Sequence, residues 1–376
     1  MAHLGTYDVV IVGGGACGCT TAYFLVNEGL QVALVDKNTV GQEASWASAG
    51  MIGPTSAPSA NPWYLQTTSL SKSLYDTLNE QLYDETGRWI GYGGDGALTI
   101  AMDEREAQSI ALEASAQAAD GVPAEALTGE EARKREPALP SGVQAALWMP
   151  EGRFLDARNY TATIATAARQ KGVDIYEGQP VTALQREGDR ITGVQCGSDL
   201  LSADYVINAA GAWAGKLDPI LTFPVRPLHG QIMALEGPPC GLRHNIMRAG
   251  AWGYVTPRPD GRVLVGATED EWGFQKKITA DGMALLGVIV RQVLPCLTDC
   301  PLLDIWSGLR PASPDGLPAI GPDPRTEGGY LWAAGHTASG MMQMPATAAV
   351  LTDLVLGKAP RIPIDQVRIN RFLASS

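Results

Sequence analysis

The sequence predicts an α/β fold in which a parallel sheet of the βαβ kind is interrupted by insertions that build a second domain. Three observations support this prediction. The first 36 residues read as strand, Gly-rich turn, helix and strand. Apolar strand and Gly-rich loop character returns over 305–340, after a middle section of different composition. The chain has 376 residues, and at about 100–200 residues per domain it should form two.

The composition is that of a globular chain without a nucleic-acid partner. Hydrophobic residues make up 45% and charged residues 18%, whereas disordered chains are more charged and less apolar. The 28 Lys+Arg and 40 Asp+Glu give a formal net charge of −12, and no basic patch is present to neutralise phosphates. No segment approaches the ~18 apolar residues of a membrane span. We therefore expect a cytoplasmic protein, for which a homo-oligomer remains open.

Metal-binding patterns are not found in the sequence. The six cysteines and four histidines form no CxxC pair and show no spacing typical of metal ligands. We therefore predict no metal site.

The N-terminal segment is predicted to be a βαβ unit of about 30 residues, the usual size of such a crossover. Tyr7–Val12 is short, apolar and rich in β-branched residues, as expected of a strand buried on both faces. A helix over Thr20–Asn27 should end before Gly29. Gln31–Val35 then forms the second strand, which ends at Asp36.

A long helix is predicted where leucines recur every four residues from Leu70 to Leu82, and it should end at Gly87. A Gly/Ala/Ser-rich loop over Gly41–Pro54 precedes it. Composition then changes, and short strands are predicted over 89–102. Two acidic helices should follow, over 103–119 and 128–135.

The second half of the chain is predicted to be richer in strands. Asp156 should cap a helix, and strands should occupy 173–207. A strand-rich section over 224–304 should contain one helix, and the final helix should span 345–356 with Pro345 in its first turn. We assign the two domains as 1–88, 141–224 and 305–376 for the first and 89–140 and 225–304 for the second.

The turn after the first strand matches the dinucleotide-binding fingerprint Gly13-x-Gly15-x-x-Gly18. The pattern alone is weak in a chain with 43 glycines, but here it follows a buried strand and opens a helix. Gly13 permits the tight turn, Gly15 the approach of a pyrophosphate, and Gly18 close helix–strand packing. The helix N-terminus offers N–H groups and partial positive charge. Asp36 can accept hydrogen bonds from ribose hydroxyls, so a dinucleotide ligand is predicted.

Further motifs, taken in chain order, resemble the D-amino-acid oxidase family of FAD enzymes, and within it most of all the glycine oxidases. They are ASWASAGM at 44–51, NAAGAW at 208–213, VRPLHGQ at 225–231, GYVTPR at 253–258, GLRP at 308–311 and AGH at 334–336. The resemblance covers nearly the whole chain. It implies a Rossmann-like FAD-binding domain with an inserted α+β antiparallel-sheet substrate domain.

The resemblance also implies FAD as the cofactor. No cysteine follows Cys300 to which the flavin could be attached covalently, so we expect noncovalent binding. In the family, the loop matching 44–51 lies along the ribityl chain and isoalloxazine, and the position matching Val181 contacts the adenine half. The helix starting near Pro345 would point its positive end at the flavin. The implied cofactor-binding residues are Gly13, Gly14, Gly15, Ala16, Gly18, Asp36, Lys37, Ala44, Ser45, Ala49, Gly50, Met51, Val181, Ala210, Gly211, Trp213, Arg310, Gly335, His336, Gly340, Met341 and Met342.

The substrate end carries both matches to the family and departures from it. Arg310 matches the carboxylate-binding arginine, and Tyr254 matches a tyrosine that frames the same carboxylate. Glycine oxidases usually carry a second arginine where this chain has Ala338, and Trp252 stands where they often have a polar residue. The predicted substrate pocket consists of Met51, Trp252, Ala338, Met341 and Met342. These residues predict a substrate bulkier and more apolar than glycine, such as an N-substituted glycine; replacement of the arginine by another residue is the alternative.

The implied reaction is oxidative deamination of an amino acid or amine. Hydride would pass from the substrate Cα to flavin N5, the imine would hydrolyse, and O2 would be reduced to H2O2. A dehydrogenase that passes electrons to a quinone or carrier protein is an alternative, because oxygen reactivity depends on the local surroundings of the flavin. The first motif alone also fits an NAD-dependent dehydrogenase or a non-catalytic nucleotide-binding module, but the later segments favour FAD.

Overall fold

The structure, a computed structural model, describes residues 3–53, 61–238 and 241–373. Pro54, at the end of the predicted loop, and Cys240 lie outside the described residues. The strands are β1 (His3–Val12), β2 (Val32–Val35), β3 (Met51–Ile52), β4 (Ala97–Ala101), β5 (Glu125–Thr128), β6 (Ala145–Met149), β7 (Arg153–Phe154), β8 (Asp174–Tyr176), β9 (Val181–Glu187), β10 (Arg190–Cys196), β11 (Asp199–Asn208), β12 (Arg226–Glu236), β13 (Asn245–Arg248), β14 (Tyr254–Pro257), β15 (Arg262–Gly266), β16 (Leu302–Ala312), β17 (Ala319–Pro322) and β18 (Tyr330–Ala334).

The helices are α1 (Ala16–Asn27), α2 (Ala44–Ala47), α3 (Pro62–Thr86), α4 (Glu104–Ala119), α5 (Gly129–Arg135), α6 (Ala157–Gln170), α7 (Ala280–Val293) and α8 (Gly340–Val355). Short 3-10 helices occupy Gly211–Lys216, Pro295–Leu297, Asp365–Val367 and Ile369–Phe372. Within the described ranges, no helix combines the length and hydropathy that a membrane span needs.

The first sheet has the strand order β17-β18-β11-β1-β2-β8, and the hairpin of β9 and β10 extends it from β11. β1 pairs in parallel with both β2 and β11. Val9 and Ile11 of β1 pack into the core formed with α1, α3, α6 and α8, whereas Val10 and Val12 pack into the core on the opposite face. The strand is therefore buried on both faces, as its uninterrupted apolar sequence predicts.

The second sheet has the order β16-β12-β15-β14-β13-β4-β6-β5. Its pairs are antiparallel apart from β13 with β4. Helix α7 covers one face, where Leu286 and Ile289 pack on Val263 and Val265. The opposite face packs on the segment that contains α2. The predicted fold class is confirmed: a sheet with a parallel core and an antiparallel second sheet are both present.

The predicted domain boundaries stay a prediction, and strand pairing bears on two of them. β6 falls within the range 141–224 but pairs with β4 and β5 in the second sheet. β16 falls mostly within 305–376 but pairs along its length with β12. The chain therefore enters and leaves the second sheet inside segments that the sequence division gives to the first domain.

One local prediction was confirmed only in part, and another was wrong. The strands expected over 89–102 reduce to β4, and Gly93 forms only an isolated pairing with Phe154. The final helix begins at Gly340, so Pro345 lies inside α8 and not in its first turn. Pro345 has no N–H to donate to the carbonyl of Met341. The buried hydroxyl of Tyr75, on α3, donates to that carbonyl instead, so the helix can extend through the proline.

Asp323 joins the last two strands of the first sheet through a buried carboxylate. Its Oδ2 accepts the indole N–H of Trp332 at 2.8 Å, and Arg325 donates to both carboxylate oxygens at 2.9 and 2.6 Å. Burial raises the pKa of Asp323, but the hydrogen bonds from Arg325 and Trp332 outweigh it and hold the pKa below its usual value. The ionised carboxylate is thus the form that the fold stabilises.

We expect Asp323→Asn to destabilise the protein by about 1–3 kcal/mol at neutral pH, because it removes charged hydrogen bonds from a buried site. The pKa of Asp323 is lower in the folded protein than the value near 4 of the unfolded chain, so the ionised carboxylate stabilises the fold above about pH 4. This stabilisation is lost as the pH falls through the native pKa. The difference in Tm between parent and variant should therefore shrink below about pH 4. Asp365→Asn is the control, since Asp365 is 84% exposed in its side chain. Equal Tm values for D323N and parent at pH 7 would contradict this account.

Candidate functional site

A cavity of about 800 Å³ lies between the two sheets, within the size range of ligand pockets. Gly13 and Asp36 line it from the ends of β1 and β2, and Tyr254 and Arg310 line it from the second sheet. The cavity therefore brings together the two ends of the site that the sequence predicts separately.

Most of the predicted site residues line this cavity. They are Gly13, Gly15, Ala16, Asp36, Lys37, Ala44, Ser45, Ala49, Gly50, Met51, Val181, Ala210, Gly211, Trp213, Trp252, Tyr254, Arg310, His336, Ala338, Gly340, Met341 and Met342. Gly14, Gly18 and Gly335 lie behind the wall. Gly14 donates its N–H to Asp36 Oδ2 at 2.7 Å, and Gly335 has a φ of +86° and packs beside Phe223. The cofactor and substrate roles of all these residues stay predictions.

Two glycines at the start of α1 and in the turn before it are required by the backbone. A Cβ on Gly18 would lie 1.9 Å from the carbonyl oxygen of Gly13, and Gly13 itself has a φ of +109°. The N–H of Ala16 donates to Ser45 Oγ at 2.8 Å. The first turn of the helix thus reaches the cavity with backbone groups, and its N–H groups can bind an anion.

The carboxylate of Asp36 accepts two backbone hydrogen bonds near this turn. Its Oδ2 accepts from Gly14 N–H and its Oδ1 accepts from Asn38 N–H, both at 2.7 Å. Burial raises the pKa of this carboxyl group above its usual value. Each carboxylate oxygen has a second lone pair, so Asp36 can fix the turn and still accept a hydroxyl.

A second helix N-terminus also opens on the cavity. Gly340, Met341 and Met342, the first residues of α8, line it, and no side chain caps this end. The methionines thus belong to a helix and not to the loop that the sequence suggests. His336 precedes them; burial lowers its pKa to about 3, and its Nε2 lies 3.1 Å from Thr347 Oγ1. His336 is therefore uncharged at neutral pH, and the positive end of α8 acts without it.

Arg310 is a cationic group at the predicted substrate end of the cavity. Its guanidinium lies over Gly230 of the neighbouring strand β12. A Cβ on Gly230 would lie 2.3 Å from Arg310 Nη1. Nη1 donates to the carbonyl of Thr268 at 3.2 Å. None of the ion pairs among the described residues includes Arg310. A half-buried arginine without an acidic partner is suited to an anionic ligand.

Two aromatic residues flank this arginine's part of the cavity. The ring of Tyr254 lies across Gly266, where a Cβ would be 2.5 Å from the tyrosine oxygen. Burial raises the pKa of Tyr254 above 10, although the charge of Arg310 lowers it in part. Trp252 is 58% exposed and its indole N–H donates to the carbonyl of Ala267. Tyr254 thus forms the inner wall and Trp252 the more exposed part of the site.

Sequence reasoning missed several residues of the wall. Arg248 lines the cavity, and its Nε and Nη2 donate to the carboxylate of Glu106 at 2.8–3.2 Å. Tyr64 of α3 also lines it and donates its hydroxyl to the sulfur of Met342 at 3.6 Å. Lys216 lines the opposite end. No local signal marks Arg248 or Tyr64, because long-range packing brings both to the wall.

Comparison with known proteins gives one consistent result. The sequence profile of the family described as "DAO: FAD dependent oxidoreductase" matches residues 8–354. Glycine oxidase from Pseudomonas putida is 33% identical over 359 residues, which cover 94% of this chain and 96% of that protein. The crystal structure of glycine oxidase from Geobacillus kaustophilus has a TM-score of 0.92 at 29% identity, covering 98% of this chain and all of that one. Iminodiacetate oxidase from Chelativorans sp. BNC1 has a TM-score of 0.86 at 27% identity, covering 96% and 98% of the two chains.

We expect Gly18→Ala to weaken dinucleotide binding by about 10-fold or more, because its Cβ would force the turn away from the Gly13 carbonyl. The measurement is titration of the apoprotein with FAD, together with Tm. Gly287→Ala in α7 is the matched control: the new Cβ would meet only Arg291 Nη2, at 3.7 Å, and alanine favours a helix by about 1 kcal/mol over glycine. FAD binding of G18A equal to that of G287A would show that the close approach does not matter.

Proposed function

The chain belongs to the DAO family of FAD-dependent oxidoreductases, and from this premise we propose that it oxidises the Cα–N bond of an amino acid or N-substituted glycine. The observation that carries the proposal is the guanidinium of Arg310. It lines the cavity, and its one hydrogen bond given by the structure goes to a carbonyl. A substrate carboxylate would supply the negative partner that no acidic side chain of the described residues supplies.

The opposite end of the cavity fits FAD. Alanines and glycines form much of its wall, including Ala44, Ala49 and Gly50, so backbone N–H groups can approach a flat ligand closely. The N-termini of α1 and α8 both open on it, and such ends favour a diphosphate and negative charge. When bound, FAD supplies the two-electron acceptor for the reaction. We infer noncovalent attachment.

Arg310 and Tyr254 would orient the substrate. A planar guanidinium can bind a carboxylate through two parallel hydrogen bonds, which fixes direction as well as position. Because the pKa of Tyr254 is raised, its phenol stays protonated at neutral pH and can donate to the same carboxylate. With its carboxylate fixed at this point, the Cα–N bond of the substrate would face the cofactor end of the cavity in one orientation.

The wall around this clamp supports a substrate larger than glycine. Ala338 leaves volume where the related glycine oxidases usually carry an arginine, and Met51 and Met342 line the cavity beside it. The other arginine of the described wall, Arg248, already donates to Glu106, so it is a poor substitute for the absent one. We infer an N-substituted glycine, whose oxidation would release a primary amine and glyoxylate. Iminodiacetate, named for one structural relative, is also a glycine with a substituted nitrogen.

The electron acceptor is proposed to be O2, with H2O2 as product. Peroxide release under air would support this choice, whereas turnover with a dye alone would favour the dehydrogenase alternative. Both outcomes leave the amine oxidation itself unaffected, because the acceptor reacts after the substrate is oxidised.

Arg310→Met should raise KM for amino-acid substrates by about 100-fold or more, since charged hydrogen bonds contribute about 1.5–3 kcal/mol each. Arg310→Lys should lie between parent and R310M, because it keeps the charge and loses the bidentate geometry. Arg133→Met is the matched control: Arg133 also donates to backbone carbonyls, those of Ser141 and Val143, but outside the cavity. An R310M variant with parental KM and normal FAD content would contradict the proposal that Arg310 binds the substrate carboxylate.

Anaerobic bleaching of the flavin should distinguish the substrate classes. Across glycine, sarcosine, N-ethylglycine and N-propylglycine, we expect the second-order rate constant of flavin reduction to rise by about 4-fold per added methylene, the equivalent of ~0.8 kcal/mol of buried CH2. Ala338→Arg should remove this gain and leave the rate of flavin reduction by glycine nearly unchanged. A strong preference of the parent for free glycine would contradict the bulky-substrate proposal, and bleaching by no amine would contradict the function itself.

A further inference from the structure

The four-residue helix α2 connects the dinucleotide turn to the second sheet. At one side, Ser45 Oγ accepts the N–H of Ala16, the first residue of α1, at 2.8 Å. At its end, the chain continues through Ser48, Ala49, Gly50 and Met51 along the cavity wall. The placement of α2 therefore fixes this wall segment relative to the turn.

The carbonyl groups at the end of α2 are bound by two side chains from different parts of the fold. Arg158 of α6 donates from Nε to the carbonyl of Trp46 at 3.0 Å. Trp306 of β16 donates its indole N–H to the carbonyl of Ala47 at 3.1 Å. The last carbonyls of a helix have no partner inside it, so these two side chains complete the end of α2.

Aromatic contacts also join Arg158, Trp46 and Trp306. The guanidinium of Arg158 lies 3.6 Å from the ring centroid of Trp46 and 4.5 Å from that of Trp306. The two indoles meet edge to face, with centroids 6.0 Å apart. Arg158 Nη2 is buried and has no hydrogen-bond partner among the described residues. Contact with the indole faces therefore contributes to holding the guanidinium there.

One face of β16 contacts α2 and also carries Arg310, the proposed carboxylate clamp. Trp306, Gly308 and Arg310 alternate along the strand, and residues at this spacing point to the same side of a sheet. A Cβ on Gly308 would lie 2.3 Å from Ala47 Cβ, so α2 rests directly on the backbone of β16. Gly308 is two residues from Arg310, which makes the contact short and rigid.

We propose that Arg158 and Trp306 are positioning residues that set the distance between the cofactor wall over 48–51 and the carboxylate clamp at Arg310. Neither is among the residues that line the cavity, so they act through α2 and not by contact with a ligand. The inference rests on the proposed function, because the spacing matters only if FAD and a carboxylate occupy the two ends. Small displacements of reacting groups reduce rates strongly, by up to about 100-fold per ångström.

The test uses Trp306→Phe, which keeps an aromatic ring and removes the N–H that binds Ala47. Trp332→Phe is the matched control, since Trp332 is a buried tryptophan that does not line the cavity and whose N–H binds Asp323 at 2.8 Å. We expect both variants to lower Tm. Only W306F should weaken FAD binding to the apoprotein, by about 5-fold, and lower the limiting rate of anaerobic flavin reduction by about 10-fold.

Arg158→Met tests the same helix from the other side, with Arg133→Met as its control and Arg158→Lys as the conservative variant. R158M should reproduce the loss of FAD affinity and of reduction rate, and R158K should recover part of both. FAD affinities of W306F and R158M equal to those of their controls would overturn the proposal, even if Tm falls. If the parent bleaches with no amine, the proposed function fails; the FAD affinities still show whether the two residues position the cofactor wall.

Discussion

The positive charge of Arg310 is the constraint on which the site depends. The chain carries a formal charge of −12, and many of its arginines form ion pairs, such as Arg248 with Glu106 and Arg325 with Asp323. Arg310 stands outside every such pair among the described residues and lies in the cavity wall. Gly230 leaves the space that its guanidinium occupies. An anion bound there would supply the charge partner that none of the described acidic side chains supplies.

The two sheets place complementary groups at the two ends of one cavity. The first sheet supplies glycine turns and helix N-termini, whose backbone N–H groups can bind negative charge. The second sheet supplies Arg310 from β16 and Tyr254 from β14, and both line the cavity. Helix α2 contacts the N-terminus of α1 through Ser45 and strand β16 through Ala47. A diphosphate cofactor and a carboxylate substrate can therefore be bound by different chemistry in an acidic protein.

Local sequence was sufficient for the elements whose contacts are local or periodic. β1 was predictable because all of its inner positions are apolar, and the Gly13–Gly18 turn because a close approach requires glycine. The start of α8 was not predictable, since the hydroxyl that replaces the missing N–H of Pro345 comes from Tyr75, 266 residues from Met341 in the chain. The place of Arg248 in the cavity wall was not predicted for a similar reason, because its partner Glu106 is 142 residues away in the chain. The sheet membership of β6 and β16 likewise depends on pairing with distant strands.

Binding of a carboxylate that cannot be oxidised tests the central claim most directly. Acetate has the carboxylate that Arg310 would bind and lacks the amine. Titration of the FAD-loaded protein with acetate, followed by the flavin absorption spectrum, should give a saturable change in the parent and none in Arg310→Met at the same concentrations. Equal acetate affinity in the two proteins would show that the carboxylate is bound elsewhere.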